Sequence, residues 1–324
     1  MTRRTSIEGQ LSLFPEEIEE APPFVGLQGN WPDGLWVGTS SWSFPGWTGL
    51  VYAQKYSESR LSREGLQWYA QNRLLNAVGI DRTFYAPMAS HEYQHYADLV
   101  PAGFRFLVKA PERLTTLRFA RHPRYGALAG QDNPDFLCAR IAQAEWVEPA
   151  LAGLKDKLGC LLLQFPPMPL GAVGGAAGFA VRLHDFLEKL PVGPTYVVEV
   201  RNRELLSNAY WQVLQRLGAC HCLNVHPQMP SLSAQSVGLE VSPMLVIRWM
   251  LGLGNHDEAV ERYQPFHQLV DEDLATRASL VGLWRQALQA QKPIMTIVNN
   301  KAEGCAPLSI ERLYQEYHAP EVPF

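Results

Sequence analysis

The sequence predicts a single (β/α)8 barrel of TIM type, an α/β fold, preceded by a flexible N-terminal arm. Three observations lead to this fold. Eight apolar runs of strand length alternate with helical patterns along the 324 residues, the order expected of a parallel sheet with helical crossovers. The runs are nearly continuous in apolar residues, as strands covered on both faces are. Their few polar residues cluster at the C-terminal ends, where barrels of this type carry their chemistry.

Taken in order, residues 1–34 are acidic and proline-rich (FPEEIEEAPPF) with little periodicity, and are assigned to the arm; 35–324 are assigned to the barrel. The predicted strands are 35–40 (LWVGTS), 76–80 (NAVGI), 104–110 (FRFLVKA), 160–165 (CLLLQF), 196–200 (YVVEV), 221–225 (HCLNV), 244–249 (MLVIRW) and 294–298 (IMTIV). Helices are predicted near 61–75, 90–99, 135–150, 176–190, 204–217, 272–290 and 308–317. The stretch after His226 (MPSLSAQSVGLEVSP) has no clean helical pattern. No internal repeat or low-complexity tract is seen.

Composition narrows the function classes. Hydrophobic residues make up 47% and charged residues 19%, ample for a packed core. A net charge of −4 brings no general attraction to nucleic acid or to membrane surfaces. The five cysteines form no framework; Cys220 and Cys222, two apart on one strand, point the same way and read as buried free thiols. No apolar run is long enough to span a membrane, and the N-terminus lacks the apolar centre of a signal peptide, so a cytoplasmic protein is expected. No P-loop, dinucleotide fingerprint, nucleophile elbow or CxxC occurs, and no cofactor is expected.

The candidate site follows from the strand ends. Lys109 ends the third strand, Gln164 the fourth, Glu199 nearly ends the fifth and Arg248 nearly ends the seventh, while Asn299 and Asn300 follow the eighth. A charge inside a barrel costs several kcal/mol unless paired. Alternation sets Val197, Glu199 and Arg201 on one side, as it does Val246 and Arg248. One reading is an ion-pair layer that plugs the barrel mouth. The other is a site for an anionic small molecule held by Arg201, Arg248 and Lys109, with Glu199 as general acid or base. Trp42, Phe44 and Trp47 of the first loop, and Phe84 and Tyr85 of the second, are assigned either to rim packing or to stacking on a sugar or base. RFARHPRY (118–125) is the one strong basic cluster.

Several segments resemble one family. GTSSWSFPGW (38–47), DRTFYAPMAS (81–90), FRFLVKAPERLT, LLLQFPP, VVEVRN and VNN are similar, in order, to motifs of the YecE-like family, also called domain of unknown function 72. The resemblance spans about residues 36–317 and implies a TIM-type barrel; it implies no particular reaction. This chain departs from the family pattern at Gly79, where a Glu is usual, and at Met250, where a His is usual. It also lacks the His of the family's I-T-H after the third strand, where it has LTT, and the Asp often found in the sixth strand, here CLNVHPQ.

Two short motifs stand apart. HEYQH (91–95) matches the H-E-x-x-H zinc pattern, but no third ligand is identifiable, and a solvated helix face is the expected reading. In the arm, QLSLF (Gln10, Leu11, Leu13, Phe14) is similar to the peptide by which bacterial proteins dock on the DNA polymerase sliding clamp. Three functions are therefore carried forward: an acid–base enzyme or binder for a polar or anionic small molecule, a phosphodiester or DNA-repair enzyme recruited to the clamp, and a non-catalytic binding protein.

Overall fold

Eight parallel strands close on themselves in chain order, each paired with the next and the eighth with the first. The computed structural model describes residues 26–251 and 256–320. The strands are β1 (Leu35–Thr39), β2 (Ala77–Ile80), β3 (Arg105–Lys109), β4 (Leu158–Gln164), β5 (Tyr196–Glu199), β6 (Cys220–Val225), β7 (Leu245–Trp249) and β8 (Ile294–Val298). The helices are α1 (Glu58–Tyr69), α2 (Ser90–Asp98), α3 (Glu112–Thr115), α4 (Ala139–Ala142), α5 (Glu148–Leu154), α6 (Gly175–Leu187), α7 (Asn208–Leu217), α8 (Leu232–Gln235), α9 (His256–Tyr263), α10 (Leu274–Gln289) and α11 (Ala306–His318). A π-helical turn, Gln143–Val147, joins α4 to α5. Every predicted strand is present, with ends that shift by at most two residues.

The period of two sorts side chains into two cores. Leu107, Cys160, Leu162, Val197, Cys222, Val246, Met295 and Ile297 point inward and fill the barrel. Their neighbours, such as Val78, Val108, Leu161, Val198 and Ile247, point outward under the helices. Burying one such Val or Leu contributes roughly 1.5–3 kcal/mol, so a one-residue slip in register would forfeit a whole strand's share. Close pairing of β1 with β2 requires glycine at position 38: a Cβ there would lie 1.7 Å from the carbonyl oxygen of Ala77.

Local signals set the helix ends. Ser57, Ser207 and Asp273 cap α1, α7 and α10 by accepting from Arg60, Tyr210 and Thr276 backbone N–H groups. Gly218, with φ of 64°, ends α7. The sixth unit is abbreviated: β6 and β7 are connected through only the four-residue α8. Gln235 pins that turn to the barrel, accepting from Asn224 N at 3.0 Å and donating to Asn224 O at 2.8 Å. The weak helical pattern after His226 reflects this truncation.

Residues 27–34, read from sequence as part of the arm, pack on the barrel. Leu27 is buried and its N–H donates to Asn72 Oδ1 at 2.9 Å. Trp31 lies edge-on to Trp284 and Tyr314, with centroids 5.4 and 5.2 Å away. The clamp-like segment (Gln10, Leu11, Leu13, Phe14) lies outside the described residues. Among the described residues no helix is long and apolar enough to cross a membrane.

Candidate functional site

Inward-facing positions at the C-terminal strand ends converge on one carboxylate. Glu199 at the end of β5 is fully buried, and both its oxygens are engaged. Arg248 of β7 donates from Nη1 to Oε2 at 2.5 Å, and Arg201 donates from Nε to Oε1 at 3.1 Å. Arg248 is 2% exposed, whereas the Arg201 side chain is 20% exposed. Arg201 also lines a cleft of about 320 Å³ with Asn202, Arg203 and residues 227–230. The alternation that sets Glu199 beside both arginines in sequence is thus realised across the barrel.

Lys109 ends β3 on the same inward face and is 9% exposed. Its ammonium lies 3.8 Å from the centroid of the Phe84 ring. It makes no hydrogen bond or ion pair among the described residues. Thr83, in the turn after β2, holds this corner by donating to the Lys109 carbonyl at 2.5 Å. Gln164, paired in register with Glu199, is buried beside it. Beneath the mouth, Arg248 Nε and Asn224 Oδ1 are buried without a hydrogen-bond partner among the described residues.

The electrostatics separate the roles of these groups. Burial opposes charge on Glu199, yet Arg248, Arg201 and Lys109 overcome it and hold the carboxyl down at about 2. A carboxylate so stabilised is a poor general base and is not protonated near neutrality. With one arginine on each oxygen, Glu199 has the geometry of a counter-charge to Arg248 and Arg201. Burial pushes the Lys109 ammonium down to about 8, with Arg248 and Arg201 adding to the shift against the pull of Asp81 and Glu199. Lys301, just after β8, is lowered by burial and by Arg201 and Arg248, with Asp81 opposing. His226, half-buried after β6, is lowered by burial and by Arg201.

Asp81 and Lys301 thus belong to the mouth, although the strand-end argument passed over both. The signal was available, because Asp81 follows β2 directly and Lys301 follows the Asn pair after β8. Four cations (Lys109, Arg201, Arg248 and Lys301) face two carboxylates (Glu199 and Asp81), leaving two positive charges when both lysines are protonated.

Other predicted site residues have structural duties. Asn300 accepts from Ala306 N at 2.9 Å and so holds the start of α11. Asn299 donates to Ser40 Oγ at 2.8 Å and accepts from Lys301 N at 3.0 Å, which ties the end of β8 to the loop after β1. Trp42 is buried edge-on to Tyr96 and donates to the Leu61 carbonyl, so it is core and not a stacking surface. Trp47 is fully buried as well. Tyr85, by contrast, is 74% exposed on the rim.

The HEYQH motif and the basic cluster are held by ion pairs of their own. In HEYQH, Glu92 accepts from Ala89 N at 2.9 Å and from Arg82 Nη2 at 2.6 Å, closing the first turn of α2, while His91 and His95 face solvent. In RFARHPRY, Arg118 pairs with Asp132 at 2.6 Å and Arg124 with Glu112 at 2.5 Å, which neutralises much of the basic cluster.

Comparisons with known proteins agree with the fold. A model of the family described as "Protein of unknown function DUF72" matches residues 36–323, as the motif resemblance implied. No curated protein matches the chain. A solved DUF72 family protein from Thermotoga maritima is 18% identical, with a TM-score of 0.59 over 88% of this chain and 99% of its own. One from Enterococcus faecalis is 16% identical, with a TM-score of 0.58 over 89% of this chain and 97% of its own. At such identities the likeness speaks to the fold alone.

Proposed function

The chain belongs to the DUF72 family, and from that premise and the charge of its barrel mouth we propose that it binds an anionic small molecule there. The observation that carries this reading is Lys109, nine-tenths buried yet without an ion pair among the described residues. An unpaired buried ammonium costs several kcal/mol, and such a cost is retained where a ligand supplies the missing partner. Arg248 is consumed by Glu199 on one edge, while the partly exposed Arg201 offers its remaining donors to a carboxylate or phosphate.

The same arrangement supports acid–base chemistry on that ligand. At about 8, Lys109 exchanges its proton close to physiological pH, as a general acid or base must. Glu199 holds the two arginines in position. The test is calorimetric titration of inorganic phosphate and small dicarboxylates into wild type, Lys109→Met and Lys301→Met. We expect at least a tenfold loss in each variant, the order of one charge-assisted contact. Equal affinity in wild type and Lys109→Met would overturn the reading.

The arm sequence supports a second reading, phosphodiester or repair chemistry on DNA with docking on the sliding clamp through Gln10, Leu11, Leu13 and Phe14. Two surplus positive charges would suit a phosphodiester as well as a free anion. The departures at Gly79 and Met250 support a third, ligand binding without turnover.

A further inference from the structure

A second cavity opens beside the mouth. It is a cleft of about 570 Å³ between the loops that follow β2 and β3, walled by Phe84, Tyr85, Pro87, Pro111, Phe119 and Tyr125. This volume falls in the range of small-ligand sites and exceeds what a lone phosphate or carboxylate needs. Its walls are mainly apolar and aromatic. Tyr85 stands edge-on to Phe84 with centroids 5.2 Å apart, leaving most of its own ring uncovered. Across the cleft, Phe119 and Tyr125 pack together at 5.3 Å, and Arg124 lies over the Tyr125 ring at 4.5 Å.

The cleft and the anion site share a residue. Phe84 lies under the Lys109 ammonium at 3.8 Å and is also a wall of the cleft. The Phe84 ring, with Lys109 on it and Tyr85 edge-on at 5.2 Å, therefore sets the two sites next to each other. Exposed tyrosine and phenylalanine surfaces favour flat rings, which stack on them or meet them edge to face. At the rim Arg124 and the Tyr125 hydroxyl are both held on Glu112, which also lines the cleft and sets a polar edge beside the aromatic walls.

We propose that the ligand of the barrel mouth carries a flat aromatic ring as well as its anionic group, as a mononucleotide does, and that the cleft of Phe84, Tyr85, Phe119 and Tyr125 holds the ring. This inference rests on the anion reading given above and adds the ring to it. The ligand is thus two-part: its charge is neutralised by Lys109, Arg201 and Lys301, and its ring is selected by stacking.

The experiment compares adenosine 5′-monophosphate, phenyl phosphate, ribose 5-phosphate and inorganic phosphate by calorimetry against wild type, Tyr85→Ala and Lys109→Met. Tyr85 is exposed, so its truncation leaves the fold intact. The ring-bearing probe that fits should bind wild type about tenfold or more tightly than ribose 5-phosphate, the order of one base–aromatic stack. Tyr85→Ala should erase that advantage while leaving ribose 5-phosphate unchanged, and Lys109→Met should weaken all the phosphates together. Equal affinities on wild type, or an advantage that survives Tyr85→Ala, would overturn the ring and spare the anion site. Binding of a ring-bearing probe that depends on Tyr85 but not on Lys109 would keep the ring and overturn the anion reading. If none of the four binds, both fall.

Discussion

Replacing Glu199 with Gln removes one charge and almost no volume from the centre of the site. The carboxylate is fully buried, and its partner Arg248 is 2% exposed. A carboxyl held at about 2 in the fold instead of roughly 4.3 in an unfolded chain is worth about 3 kcal/mol at neutral pH. Breaking one side of a buried pair leaves the other charge uncompensated, which costs about 3–5 kcal/mol. Both routes predict a loss of about 3–5 kcal/mol at pH 7, measured by urea denaturation of wild type and Glu199→Gln. The sign with pH is also determined. A depressed carboxyl stabilises the fold fully above its unfolded value and loses that contribution as pH falls toward its folded value. The gap between wild type and variant should therefore shrink by about 2 kcal/mol between pH 7 and pH 3. A loss under about 1 kcal/mol at pH 7, or a gap that does not change with pH, would refute the picture of a fixed buried counter-charge.

Two further outcomes follow from the structure and one from the sequence of the arm. Lys109 sits at about 8 and an arriving anion raises it, so phosphate binding at pH 8 should take up about half a proton and weaken as pH rises. Calorimetry in buffers of different ionisation enthalpy measures this, and proton release or no uptake would count against Lys109 as a contact. Gly38→Ala should cost about 3 kcal/mol in chemical denaturation because its Cβ would strike the Ala77 carbonyl, whereas Gly79→Ala, with its nearest neighbours at 3.3 Å, should cost markedly less. Phe14→Ala should abolish retention of the full chain on an immobilised sliding clamp; unchanged retention would remove the clamp from consideration.

Much of the barrel was legible because its signals are local. An apolar run with a polar residue at its end says where a strand stops, and alternation over two residues says that Glu199 and Arg201 share a face. Hence all eight strands, Lys109, Gln164, Glu199 and Arg248 could be named in advance. The same rule, applied evenly, would have reached Asp81 and Lys301. The roles of the asparagines and tryptophans were not legible, because a polar or aromatic residue beside a strand end reads alike whether it caps a helix, fills the core or faces a ligand.

The sequence by itself determined the inventory: eight parallel strands, and an excess of positive groups at their C-terminal ends. Only the tertiary structure decided who meets whom. It joined Glu199 to Arg248 across 49 residues, set the side-chain oxygen of Asn300 on a helix start and buried Trp42 while Tyr85 stayed outside. It also left Lys109 against the Phe84 ring at the edge of an aromatic cleft, without an ion pair among the described residues. The physical reason is that burial and pairing belong to the closed barrel: charges on separate strands acquire their partners, or are left without them, only when the eighth strand meets the first.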